Sequence, residues 1–203
     1  MKKIAQMIEK ENPDFVLIAG DLLNRPSEDY LQVYSKYFSW DKIKTPIYAI
    51  VGNHDVMWDD IIIKELPKIT SIKLLENESV NVSGIQIVGI LDKSLWSGRT
   101  LEDNLAETNM KNDEKLFTIL ATHQPVWFEK LQDYEIDLEV AWHTHRGQIY
   151  GLRKIVEWVN DYWYGEYKYN WRTAFVSQWL WTWALPVRLG TQSEMVIINL
   201  KNK

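Results

Sequence analysis

The four histidines of this chain, His54, His123, His143 and His145, each stand just beyond a short apolar run, where the sequence turns polar. Oxygen-bearing residues occupy equivalent places: Asp21 follows the run at 14–19, and Asn53 and Asp55 flank His54 after the run at 46–51. Chance would scatter such residues. Neutral imidazole combined with carboxylate and amide oxygen suits Mn, Fe, Zn or Co better than Ca or Mg. The chain has no cysteine, which excludes thiolate metal sites and structural disulfides.

The elements that must position these residues are legible from periodicity. Ile4, Met7 and Ile8 recur at helical spacing, and Asn12-Pro13 stops that helix before a buried strand at 14–19. Leu31, Tyr34 and Phe38 form the next helical stripe, and residues 46–51 repeat the strand pattern. Strand, helix and strand in this order predict a parallel α/β unit. Residues 72–91 change to short β segments with turns at 76–78 and 83–84, which predicts antiparallel hairpins. Two further buried strands, 116–121 and 136–141, end at His123 and at Trp142-His143. Carboxyl ends of strands in an open α/β sheet converge on one crevice. Asp21, Asn53, His54, Asp55, His123, His143 and His145 are therefore expected to meet. Residues 152–172, dense in aromatics and poorly periodic, read as an irregular loop near the site. The tail predicts two strands, at 174–177 and 194–200.

Composition sets the outer bounds. A chain of 203 residues with no internal repeat or linker is expected to form one domain over 1–203. It is 46% apolar and 25% charged, an ordinary globular balance. A net charge of -5 argues against a nucleic-acid partner, whose backbone selects clustered Lys and Arg, and favours a small substrate. No apolar run reaches membrane-span length and the start is not of signal-peptide type, so the expected location is cytoplasmic.

Gly20-Asp21, Gly52-Asn53-His54-Asp55, His123 and His143-Thr144-His145, in that order, resemble the motifs of the calcineurin-like metallophosphoesterase family. Residues 143–148 and 186–190 resemble its bacterial subgroup bearing G-H-T-H-G-G-Q. The resemblance implies a two-sheet α/β/β/α sandwich with mixed sheets and helices outside. It also implies two divalent cations bridged by Asp21, with Asn53, His123 and His143 completing one site and His145 reaching the other. The family's D-x-H motif is absent ahead of Asp21, since residues 1–20 hold no histidine, so the first cation site and first strand are incomplete as written. The implied chemistry is attack on phosphorus by a hydroxide held between the cations. His54 would act as the acid at the leaving group, with Asp55 orienting it; Asp55 reads equally well as a cap for the next helix. Arg146 is placed to contact a substrate anion. The expected partner is a small phosphorylated substrate, a monoester, diester or pyrophosphate. A lipid-linked substrate at a membrane surface fits the aromatic segment at 162–171. The alternative is a catalytically impaired binding or scaffold module of the same fold.

One mismatch stands against the resemblance. Trp142 occupies the glycine position before the first histidine of H-T-H, and Trp179 and Trp181 stand where the subgroup has small residues. The chain carries 11 Trp against 9 Gly. Glycine serves where backbone approaches a ligand, so indoles there are expected to disrupt the site's loops. Reading UGA as tryptophan where the organism reads glycine would produce the same excess.

Overall fold

The first helix, α1 (Lys2–Glu11), ends where Asn12 turns left-handed at φ 43° and donates its backbone N–H to Ile8. Asparagine tolerates this conformation, and Pro13 prevents the helix from resuming. The chain then enters β1 (Val16–Ala19), the first strand of the architecture given by a computed structural model, which describes residues 1–23, 28–39, 41–56, 60–126, 128–178, 180 and 187–201.

After β1 come α2 (Glu28–Phe38), β2 (Ile47–Ile50), a single helical turn α3 (Asn53–Val56), α4 (Asp60–Ile69) and β3 (Ile72–Leu74). These three strands form a wholly parallel sheet in the order β1-β2-β3, with Val16 opposite Ile47 and Ile47 opposite Ile72. The chain then crosses into a second sheet through β4 (Glu78–Val82) and β5 (Ile85–Gly89). Helix α5 (Leu101–Glu107), β6 (Phe117–Ala121), β7 (Leu138–Ala141), α6 (Tyr150–Val159), β8 (Gly165–Tyr169) and β9 (Arg172–Val176) follow. The second sheet has the order β4-β5-β6-β7-β9-β8, parallel in its middle and antiparallel at both edges.

Three apolar clusters explain the layering. Ala19 and Ile50 of the first sheet pack with Leu75, Ile87 and Ala121 between the sheets. On the outer face of the first sheet, Ile8, Tyr34, Phe38, Ile63 and Leu66 bring α1, α2 and α4 against the strands. Leu101 and Leu105 of α5 cover Val88 and Leu120 of the second sheet. Burying each large side chain is worth roughly 1.5–3 kcal/mol, so each helix is held by its packing and not by propensity alone. The α/β/β/α sandwich with helices outside is thus observed; one sheet is mixed and the other is parallel.

Three expectations are corrected. Residues 72–74 do not join a hairpin: β3 pairs parallel with β2, and the antiparallel hairpin is confined to β4 and β5 about Ser83-Gly84. The segment 152–172 is largely regular, containing most of α6 and all of β8. Its helical period was hidden because Ile155, Trp158 and Val159, at 57, 86 and 64% exposure, put apolar residues on the outward side of α6. Residues 194–200 belong to no strand; Ile197 and Ile198 are exposed, and β propensity without a neighbouring edge does not make a strand.

Candidate metal centre

Each donor sits on a turn that closes a parallel strand. Beyond β1, Gly20 adopts φ 100° and Asp21 φ 51°, a sharp left-handed turn that brings the Asp21 carboxyl to the His54 N–H and the His123 ring. Gly20 and Gly52 pack backbone to backbone: a Cβ on Gly20 would lie 2.6 Å from His123 Nδ1 and 2.8 Å from Gly52 Cα. A Cβ on Gly52 would overlap Asp21 itself. Two glycines in the motifs are therefore steric necessities that allow the β1 and β2 loops to meet.

Asp21 is fully buried. Its Oδ1 accepts the His54 backbone N–H at 2.9 Å, while Oδ2 has no hydrogen-bond partner and lies 3.3 Å from His123 Nε2. His123 Nδ1 is 2.9 Å from the Ala19 carbonyl oxygen, which can only accept, so Nδ1 carries a proton and in the neutral ring Nε2 presents a lone pair. That lone pair faces Asn53 Oδ1 at 2.9 Å and His143 Nδ1 at 2.9 Å, besides Asp21 Oδ2. Asp21, His123 and His143 offer ligand atoms that all lie within 4.8 Å of one another. Lone pairs pointing at one another repel unless positive charge lies between them. This donor set therefore fits a cation, with the Ala19 carbonyl fixing the His123 tautomer as second-layer partners of metal-bound histidines do.

The electrostatics agree. Burial, with the neighbouring His123 adding to it, pushes His143 down to about 4, and burial pushes His145 down to about 3. Both rings are neutral near pH 7, the form that donates to a metal. For Asp21, burial works to raise the pKa but the close His123 ring outweighs it, with the His54 N–H adding to the effect, and the carboxyl falls below its ordinary value. For His123 burial works downward and Asp21 outweighs it, so the ring rises. Asp21 and His123 thus favour each other's charged forms, and the buried carboxylate draws positive charge to this point, the role a cation would take over.

The other expected residues occupy distinct places. His54 supplies its backbone N–H to Asp21, and its ring is near enough to act electrostatically on Asp21 and His143. Asp55 is fully buried inside α3 and accepts the N–H groups of Leu23 at 2.7 Å and Gly52 at 2.8 Å, one on each oxygen. These bonds tie the β1 and β2 loops together. Burial, with Asp21 next, raises Asp55 to about 7. His145 lies buried in a left-handed turn, close enough for Asp21, His143 and Arg188 to act on it. Arg146, also at positive φ, stacks over the Tyr164 ring at 4.0 Å.

Trp142 does not disrupt the loop. Its backbone is not left-handed, its indole Nε1–H donates to the Gly20 carbonyl at 3.0 Å, and the ring packs on the inter-sheet core. Trp179 and Trp181 lie outside the described residues.

Two supports of the site carry no motif in the sequence. Glu139 on β7 is fully buried, and its Oε1 accepts the Thr122 hydroxyl at 2.8 Å and the Val126 N–H at 2.6 Å, bracketing the turn that carries His123. Gln124 in the same turn donates to both oxygens of Asp92. A charged residue within the apolar run Leu138-Glu139-Val140-Ala141 was the available signal.

Asp21, Asn53, His123 and His143 gather at strand ends of a two-sheet sandwich, and the chain belongs to the calcineurin-like phosphoesterases, whose family model matches residues 1–147. It is similar to an uncharacterized metallophosphoesterase of Campylobacter jejuni, 28% identical over all of this chain and 54% of the relative. A second such protein, from Bacillus subtilis, is 25% identical over all of this chain and 73% of its own length. A phosphodiesterase of Escherichia coli is 26% identical over 69% of this chain and 52% of its own. The chain spans about half the length of the Campylobacter relative.

Proposed function

We propose that this chain hydrolyses a phosphoester with a divalent cation, of the Mn, Fe, Zn or Co group, held by Asp21, Asn53, His123 and His143. The observation that supports this is the convergence of three donor atoms on the His123 Nε2 lone pair, within 2.9–3.3 Å, around a buried Asp21 oxygen that has no hydrogen-bond partner. Asp21, as a bridge, and His145 are the residues of this chain that would reach a second cation. When bound, such cations supply a water of lowered pKa and neutralise charge on the phosphoryl oxygens. His54 then gives its proton to the departing oxygen. Asp55 works through the backbone, fixing the loops that carry Asp21 and Asn53.

The name of the Escherichia coli relative makes a phosphodiester the first substrate to try. Elemental analysis of purified protein, with turnover of bis(p-nitrophenyl) phosphate in added Mn, tests the proposal. Asp21→Ala and His123→Ala are expected to lose both metal and turnover. His54→Ala is expected to lower kcat by about 10²–10⁴ with Mn affinity retained. Absence of bound metal and of turnover with all four cations would leave the binding or scaffold reading in its place.

A second reading, that the substrate is lipid-linked and met at a membrane surface, is supported by the exposed Ile155, Trp158 and Val159 on α6. No described helix is long and apolar enough to cross a membrane. Co-sedimentation with anionic liposomes, abolished by Trp158→Ala, is the expected result; no co-sedimentation sinks this reading.

A further inference from the structure

Beside the H-T-H loop lies a cleft of about 430 Å³ lined by Arg146, Gln178, Gly190, Thr191 and Gln192. Two arginines serve it. Arg146 reaches Gln178 Oε1 with Nη1 at 3.4 Å, and its buried Nε has no hydrogen-bond partner. Among the described residues no carboxylate pairs with Arg146; its guanidinium rests on the face of Tyr164, which holds it without neutralising it. Arg188 donates to the Gln178 carbonyl at 3.0 Å and to Thr191 Oγ1 at 3.4 Å. It is close enough to help depress His145.

Glu194 is close enough to act on Arg188, but its hydrogen bonds go to other groups. Glu194 accepts the Ser177 hydroxyl and the Gln178 N–H on Oε1, and the Gln178 amide and Tyr164 hydroxyl on Oε2. It therefore builds the wall: Gln178 and Tyr164, which Arg146 contacts, are both fixed by Glu194. A cation pre-positioned on a polar scaffold, one residue from His145 and facing an open cleft, is arranged to receive an oxyanion.

We infer that the Arg146 cleft is an anion subsite for the part of the substrate that is not cleaved, so that the preferred substrate is a phosphoester bearing a second oxyanion, phosphate or carboxylate. The substrate half of this inference rests on the phosphoesterase reading; the anion site itself does not. Arg146 acts as a recognition residue, and Arg188, bonded to Gln178 and Thr191 of the same cleft, shares the charge.

Two measurements on the full chain test it. Calorimetric titration of inorganic phosphate, with no metal added, is expected to give binding that weakens about tenfold in Arg146→Ala and less in Arg146→Lys, with Arg146→Ala/Arg188→Ala weaker still. In Mn, a carboxyalkyl p-nitrophenyl phosphodiester is expected to exceed its own methyl ester about tenfold in kcat/KM, and that ratio should fall below about three in Arg146→Ala. No phosphate binding, binding unchanged by Arg146→Ala, or a ratio near one in the unmodified protein overturns the inference. If neither ester is turned over, the phosphoesterase reading fails, and calorimetry alone decides whether the anion site stands.

Discussion

His123 Nε2 and His143 Nδ1 face each other at 2.9 Å, two imidazole nitrogens from different strand ends brought to hydrogen-bonding distance beside a buried carboxylate. With His143 lowered to about 4 and His123 Nδ1 committed to Ala19, a proton or a cation must hold this contact together.

Metal is therefore predicted to stabilise the fold. A ligand at 100 times its Kd adds about 2.7 kcal/mol, and 1 kcal/mol moves Tm by roughly 2–4 °C in a chain of this size. Saturating Mn is expected to raise Tm by about 5–10 °C in scanning calorimetry, and chelation to reverse it. Asp21→Asn should retain the fold and lose most of that increment. A Tm indifferent to all four candidate cations would remove the metal centre.

The Gly20–Gly52 contact predicts a sharp steric sensitivity. A methyl at Gly52 collides with the Asp21 side chain and backbone, which cannot move without disturbing the His54 N–H bond. Gly52→Ala is expected to cost about 2–4 kcal/mol by urea unfolding and to weaken metal binding at least tenfold. Gly84→Ala, where a Cβ meets nothing within 4 Å, is the control and pays only for its positive φ of 83°. Equal losses at the two positions would show that the loop contact does not govern the site.

Glu139 predicts a pH dependence of stability. Burial raises its pKa from 4.5 to about 7, so the folded state binds this proton more tightly than the unfolded chain. Its protonated form is the stable one: the contribution is fully present below about pH 4.5 and is lost as pH rises through about 7, to a total of roughly 3 kcal/mol. Asp55, also raised to about 7, acts in the same window. Glu139→Gln keeps an oxygen for Thr122 and Val126 while deleting the charge, and is expected to flatten about half of the slope between pH 5 and 8. An unaltered slope in this variant would assign the dependence to other groups.

Most of the layout was readable from residues because each strand of the parallel middle is a short apolar run closed by a polar motif. Asp21, Asn53, His123 and His143 were found together by their positions at strand ends, without any knowledge of side-chain distances. What stayed hidden was whatever depends on a neighbour. β3 carries the same β-forming residues in a hairpin or a parallel ladder, and only the open edge of β2 decides between them. The helix α6 was obscured by Ile155, Trp158 and Val159 facing outward, contrary to the usual apolar-inward rule. From sequence Asp55 reads as a partner for His54 or a cap, whereas only the fold brings the N–H groups of Leu23 and Gly52 to it.

Trp142 offers the last test, because its sequence position called for glycine and its surroundings suit an indole. The Nε1–H bond to the Gly20 carbonyl ties the H-T-H loop to the turn that carries Asp21, and the ring covers the inter-sheet core beside Val140. Trp142→Phe keeps most of the packing and removes the donor, for an expected cost of about 1 kcal/mol. Trp142→Gly removes both and loosens the unfolded chain, for roughly 2–4 kcal/mol, less than a fully buried tryptophan because the ring is only half-buried. Metal affinity should fall in both, since the Gly20 turn loses its anchor on the far side of Asp21. If Trp142→Gly instead raised Tm and tightened Mn binding, glycine would be the residue this loop was built for, and peptide mass spectrometry of the native protein at position 142 would be expected to find it there.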